Sequence, residues 1–300
     1  MKSIFNSKLF LFAAAASLSA GSMAMGEDSS TPATTDANHT VAVNIEEAGV
    51  KPLQKVDITY FGIYLGPSLS NPGESAQVNP STGVVDPADW PQVLENQVKL
   101  NYNFTDHFFV GPVINFNFYT GQTNTSTMRD SGVRIGAKNL LKTGGFSMKA
   151  DVRALAATTP GDQSAHAGIL WENLISLKYD VPHTKWTAGV LSFTKYHTYT
   201  DNGISPKTGL GRGDWELYLA PNANWQFSRK VAATMFVDFY PLHKIGAAGD
   251  WTTAQPADLN PGINWDITDN FSVNPGIVFY PTNPTWAATS TILYISGKLL

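Results

Sequence analysis

The chain has 300 residues, enough for one large β domain or two ordinary ones. Hydrophobic residues make up 43% of it and charged ones only 15%, against roughly 25% in an average soluble domain. With no cysteine it can hold neither a disulfide framework nor a lipid-bearing thiol, and a formal net charge of −4 gives no electrostatic footing for nucleic acid.

At the start of the chain, Lys2 and Lys8 flank the apolar run Leu9–Ala20, and small residues follow at Ser22–Ala24 and Ala24–Gly26. This pattern predicts a cleaved export signal over 1–26. A dozen or so apolar residues are too few to cross a bilayer, which takes about 20. Residues 27–54 open on "EDSSTPATTDANHT" and read as a flexible segment. Within them Val41–Gly49 is compatible with a short strand or a short helix.

From Lys55 to Leu300 the sequence predicts twelve strands. They lie near Val56–Gly66, Gln97–Phe104, Phe108–Tyr119, Gly132–Leu140, Phe146–Ala156, Leu170–Tyr179, Lys185–Tyr196, Trp215–Gln226, Val231–Tyr240, Leu259–Asp266, Phe271–Tyr280 and Thr289–Leu299. Most alternate with period two. In the hairpin Gln97–Tyr119, for instance, Val98, Leu100, Tyr102 and Phe104 share one parity, and Gln97, Lys99, Asn101 and Asn103 share the other. Connections after even-numbered strands are short ("TDH", "LKTGG", "DVPHT", "FSR", "ITDN"). Those after odd-numbered strands are mostly long, beginning with the Pro67–Glu95 segment. Strict short–long alternation is the pattern of an all-β, antiparallel up-and-down transmembrane barrel, with short periplasmic turns and long extracellular loops.

The two faces then divide. One face is apolar, and its aromatics gather near strand ends. Tyr102, Phe104, Phe108, Tyr179, Trp186, Trp225, Trp265 and Phe271 lie near short turns; Trp171, Trp215 and Phe279 lie near long loops. Two such belts fit interfacial girdles in lipid, although aromatics also favour strands in general. The other face predicts a charged lumen. Lys99, Arg134, Lys138, Lys149, Arg153, Lys178 and Lys195 form a basic wall, interrupted by Asp151 and Glu172. Asp57, Glu216, Asp238 and Asp266 form an acidic wall. Opposed walls would set a transverse field for polar solutes; alternatively the charges pair off and fill the lumen. Pro112, Pro221, Pro261 and Pro275 fall inside proposed strands and suggest a level of bulging, as does Gly62 within the mixed-parity "YFGIY".

On these features the chain resembles a Gram-negative outer-membrane β-barrel protein of about twelve strands, from Lys55 to Leu300 together with the signal. The resemblance is architectural. It implies outer-membrane localisation, with lipid, an external lipopolysaccharide leaflet and the barrel-assembly machinery as partners. The aromatic-rich final strand common in that superfamily is matched by "TILYISGKLL", which ends in Leu rather than Phe. No strand shows a polar seam on its apolar face, which favours a monomer. The leading expectation is a narrow pore for small polar solutes; the alternatives are a plugged structural or adhesion barrel and a lipid-active enzyme.

Motifs for chemistry are sparse. His107 and His183 fall in short turns, and His166, His197 and His243 lie towards the long loops. Ser164 neighbours His166, but no third residue stands at triad spacing. No catalytic set, metal site or cofactor is expected. "GRGD" (Gly211–Asp214) contains an Arg-Gly-Asp triplet, and reads more simply as a glycine turn entering a strand. The acidic first loop (Glu74, Asp86, Asp89) carries no calcium pattern.

Overall fold

A computed structural model describes residues 55–70, 92–119, 126–159, 163, 165–205, 209–247, 250–253 and 256–300. The export signal, the 27–54 segment, Ser164 and the body of the first loop lie outside the described residues.

The strands are β1 (Val56–Ser68), β2 (Val93–Asn103), β3 (Phe108–Tyr119), β4 (Ser126–Thr143), β5 (Phe146–Ala156), β6 (Ala167–Asp180) and β7 (Trp186–Tyr199). They continue as β8 (Gly213–Ser228), β9 (Val231–Asp238), β10 (Pro241–Lys244), β11 (Trp251–Thr253), β12 (Asp258–Thr268), β13 (Phe271–Val278) and β14 (Ser290–Lys298). Each strand from β1 to β8 pairs antiparallel with the next, β9 pairs β12, β12 pairs β13, β13 pairs β14, and β14 returns to β1. The ring is therefore a closed twelve-stranded barrel without an edge, which satisfies every strand on both sides.

The sequence reading placed residues 241–258 in a loop. They instead carry β10 and β11. Phe239 still bonds Leu219 in both directions at 3.0 Å, and β10 then pairs the upper part of β8, through Leu242↔Glu216 and His243↔Trp215. So β9 and β10 are one interrupted strand, and β11 folds back on it beyond the ring. These pieces are three and four residues long, too short to show a period.

Turn chemistry explains the short end. Gly144 and Gly145 link β4 to β5 with φ of 54° and 86°, the left-handed pair that a tight hairpin requires. In the β2–β3 turn, Thr105 Oγ1 accepts from the backbone N–H groups of His107 (3.2 Å) and Phe108 (2.9 Å). His183 takes φ 59° in the β6–β7 turn, a conformation that histidine tolerates better than most residues.

Two expectations are corrected. Pro221, Pro261 and Pro275 cause gaps, not bulges, while just past Pro112 the β3–β4 register does shift, between Val113 and Asn115. The β8–β9 register is the same on either side of Pro221, and the β12–β13 register is the same on either side of Pro261 and Pro275. Only the ladder bonds that proline cannot donate are missing. Pro112 does the same to β2, and the freed Leu100 carbonyl leans over Gly111, where a Cβ would fall 1.8 Å from it. Nor is there a bulge at Gly62: β1 runs in register with β2 from Val56 to Leu65, and its irregularity against β14 lies between Leu65 and Ser68.

The outside is greasy. Ile114, Phe118, Met128, Val133, Ile135 and Ile169 are all exposed there. A continuous exposed apolar surface of this kind is the mark of a face that meets lipid. Among the described residues it carries a polar spot that the sequence reading missed. On β1–β2 the Tyr60 hydroxyl donates to Asn96 Oδ1 (2.6 Å) and Tyr64 to Gln92 Oε1 (2.9 Å).

Candidate functional site

The inward parity builds the site. Asp57 on β1 reaches across β2 and β3. It accepts from Asn101 and from Asn103 Nδ2 (2.8 Å) on β2, and pairs with Lys138 Nζ on β4 at 2.8 Å. One step higher, Arg134 bonds Asn101 Oδ1 and pairs with Asp151 at 2.9 Å, its guanidinium lying 4.5 Å over the Phe109 ring. Arg153 continues the chain. It meets Asp151 at 2.7 Å and Glu172 at 2.6 Å, and its guanidinium lies 6.0 Å from the Phe193 ring centre. Arg153 and Lys99 are each 3% exposed. Charges so deeply buried persist only when they are paired and hydrogen-bonded.

The remaining residues of the expected walls follow the same logic. Lys178 pairs with Asp180 (3.2 Å), and Lys195 on β7 pairs with Glu216 on β8 (3.5 Å), where His197 Nε2 also lies 3.1 Å from Glu216. Asp266 accepts from Asn264 Nδ2 at 3.1 Å near the short-turn end. Lys149 shares the inward parity of Asp151 and Arg153 on β5. Asp238 sits on β9 directly opposite Asp258 on β12. The lumen therefore holds a ladder of ion pairs rather than two bare walls, because acids on β1, β5, β6 and β8 stand beside the bases.

The expected girdle residues lie on the outer face. Trp186 and Trp225 stack at 6.1 Å, Phe104 and Phe108 at 6.1 Å, and Phe146 and Tyr179 at 4.3 Å near the short turns. Tyr102 and Trp265 are exposed, and Phe271 lies beside that same turn end. Near the long loops Trp215 packs on Tyr196 at 4.7 Å. Trp171 shares that cross-strand row, and Phe279 bonds Leu259 through its backbone.

Sequence reasoning missed that apolar side chains also pack inside the barrel. Leu174, Leu191, Ala220 and Phe236 form a buried cluster with Phe193 and Tyr218. Val278, Tyr280, Ala288 and Ile292 form another, joined by Ile63, Leu65 and Tyr294. The available signal was apolar residues at both parities, as in "TYFGIYLG", "GVLSF" and "TMFVDF".

Above the Arg153 level the barrel opens into a cavity of about 720 Å³. Phe61, Ile63, Leu65, Ile292 and Tyr294 give it an apolar side; Arg153, Glu172, Lys195 and His197 lie on strands across the ring. At its rim the Arg-Gly-Asp triplet is already engaged. Arg212 bonds Asp201 at 2.9 Å and stacks 5.4 Å over Tyr199, and Asp214 bonds His243 Nδ1 at 2.6 Å. The Gly203 backbone N–H and Arg212 together hold the Asp201 carboxyl below its usual range.

Among known proteins, no family model and no curated protein matches the sequence. Solved structures do align over most of the chain. The NanC porin is 8% identical at a TM-score of 0.47, covering 80% of this chain and 97% of its own. An outer-membrane channel from Pseudomonas putida F1 is 12% identical at 0.49, covering 84% and 100%. OmpF of Salmonella typhi, in complex with daunomycin, is 8% identical at 0.39, covering 81% and 97%.

Proposed function

We propose that the chain is a Gram-negative outer-membrane barrel that admits small polar solutes to the cavity at its long-loop end and passes them by a narrow constriction at the Arg153–Glu172 level. The observation that carries this reading is the cavity itself, walled by twelve closed strands and floored by paired charges. A charged constriction with apolar flanks selects by size and by the sign of charge. The export signal over 1–26 and the external position of the long loops belong to the same proposal. Single-channel recording in planar bilayers tests it: small discrete steps are expected, and no conductance beyond the empty bilayer overturns it.

A second reading, a barrel plugged at its short-turn half, is favoured by one observation. Inward polar residues there, such as Ser272, Asn264, Asn101 and Thr187, are 2–4% exposed. On that reading the same recordings stay silent, while solute still enters the cavity from the loop side.

A further inference from the structure

Two opposite walls of the cavity differ in chemistry. Round the ring, β1 stands across from β7 and β14 across from β6. On β1 and β14 the lining is Phe61, Ile63, Leu65, Ile292 and Tyr294. The Phe61 and Tyr294 rings are half-buried and nearly parallel, 25° apart with centres 6.4 Å apart, and present a flat platform to the cavity. On β5 to β8 the register sets one charged residue of each strand in a single row. Arg153 lies opposite Glu172, Glu172 opposite Lys195, and Lys195 opposite Glu216, so the signs alternate. The row opens towards the cavity as it goes: the Arg153 and Glu172 side chains are 3% and 8% exposed, those of Lys195 and Glu216 32% and 40%. A second open pair, Arg129 and Glu95 at 2.8 Å, lines the same cavity.

The pairing decides what fits. An anion brought to Lys195 also meets the Glu216 carboxylate 3.5 Å from the ammonium, and a cation brought to Glu216 meets Lys195. A neutral solute that donates and accepts at neighbouring atoms meets neither repulsion. An ammonium has three donors and a carboxylate about four acceptor positions, so an ion pair retains capacity on both sides. Two hydroxyls on adjacent carbons match it, one accepting from Lys195 and the other donating to Glu216. The remaining acids of the lining are already engaged. Asp130 accepts from the Thr158 backbone N–H at 3.0 Å, and Asp238 bonds Asp258, the Tyr218 hydroxyl (3.0 Å) and Asn260 Nδ2 (2.7 Å). The opposite wall asks for an apolar surface, since electron-rich ring faces attract slightly positive hydrogens such as those on carbon. A sugar ring carries both, hydroxyls round its edge and C–H bonds on its face.

We propose that this cavity binds neutral cyclic sugars, with the C–H face towards the Phe61–Tyr294 platform and adjacent hydroxyls towards the Lys195–Glu216 pair. The proposal rests on the solute-admitting reading above and names its solute class.

Saturation-transfer NMR titration of the full barrel, folded in detergent, tests it without requiring conduction. The probes are glucose, its acyclic analogue sorbitol, glucuronate, and glucosamine as its ammonium. Glucose should bind saturably, and the other three at least about tenfold more weakly. Phe61→Leu, which keeps an apolar side chain and loses the ring, should weaken glucose about tenfold, while Phe61→Tyr should stay within about threefold of the parent. Glu216→Ala leaves Lys195 without the carboxylate at 3.5 Å, and should reverse the order so that glucuronate binds more tightly than glucose. Heat-modifiable gel migration confirms that each variant is folded. Absence of glucose binding, equal or tighter binding of any of the other probes to the parent, or unchanged glucose binding in Phe61→Leu overturns the proposal. Conduction without glucose binding refutes the sugar site alone; glucose binding without conduction refutes the pore alone.

Discussion

Arg153→Ala is the most informative perturbation of the lumen. The guanidinium is 3% exposed and bonds Asp151 through Nε at 2.7 Å and Glu172 through Nη1 at 2.6 Å. Truncation does not strand both acids equally. Asp151 keeps Arg134 at 2.9 Å, whereas Glu172 loses the base that it meets at 2.6 Å. Removing one member of a buried pair costs about 3–5 kcal/mol, and the surviving Arg134 contact places this variant near the lower end, about 3 kcal/mol. Neutralising the stranded acid should return much of the loss. Arg153→Ala/Glu172→Gln is therefore expected to be more stable than Arg153→Ala, with a coupling of about 2 kcal/mol in a double-mutant cycle. The assay is urea unfolding in lipid vesicles, followed by tryptophan fluorescence. Additivity of the two substitutions within about 0.5 kcal/mol refutes the idea that this ion pair holds the layer together. In bilayers the single variant should also pass more current than the parent, since it removes the side chain that floors the cavity; an unchanged step size moves the constriction elsewhere.

Other parts of the structure make independent predictions. Gly145→Val places a branched side chain at φ 86° in the β4–β5 turn and should cost about 1–2 kcal/mol in the same unfolding assay; no loss means that the turn adopts another geometry. Single-tryptophan variants retaining Trp186, Trp225 or Trp265 should be quenched most by lipids brominated near the headgroup, and strongest quenching at the bilayer centre would refute the girdle. The lowered Asp201 carboxyl should keep its loop ordered above the unfolded-state value and release it only as pH falls through the folded one. Amide protection at Gly203 and Arg212, corrected for intrinsic exchange, should thus hold from pH 7 to about pH 4 and fall below that. Loss of protection already between pH 7 and pH 5 would assign the loop's order to another group.

The fold was legible because most of these strands carry their environment in their parity. Val98, Leu100 and Tyr102 against Lys99, Asn101 and Asn103 define both the strand and its faces, and the short connections fix which strands are neighbours. The site was legible only in outline. Parity assigns Asp151 and Arg153 to the inside of β5 but cannot show that Glu172 faces Arg153, because that depends on the stagger of β5 against β6. Phe236 and Leu191 escaped for the opposite reason. A rule that sends apolar residues to lipid cannot find those that pack inside. The β10–β11 hairpin escaped because its pairing is set by the upper half of β8, not by its own few residues.

The proline gaps have a consequence for the acidic wall. Between β9 and β12 the register is unbroken, from Asp258↔Asp238 to Trp265↔Val231. On one side of this pair Pro221 omits a bond to β9; on the other, Pro261 and Pro275 omit bonds between β12 and β13. Past these gaps each outer seam is fastened again by a doubly bonded bridge, Leu219 to Phe239 and Leu259 to Phe279. The two strands are thus a panel, tightly joined within and loosely stitched along both borders. Asp238 and Asp258 ride on that panel together. A small slide of this panel along its two gapped seams is therefore expected to change the cavity's width while its two carboxylates move together.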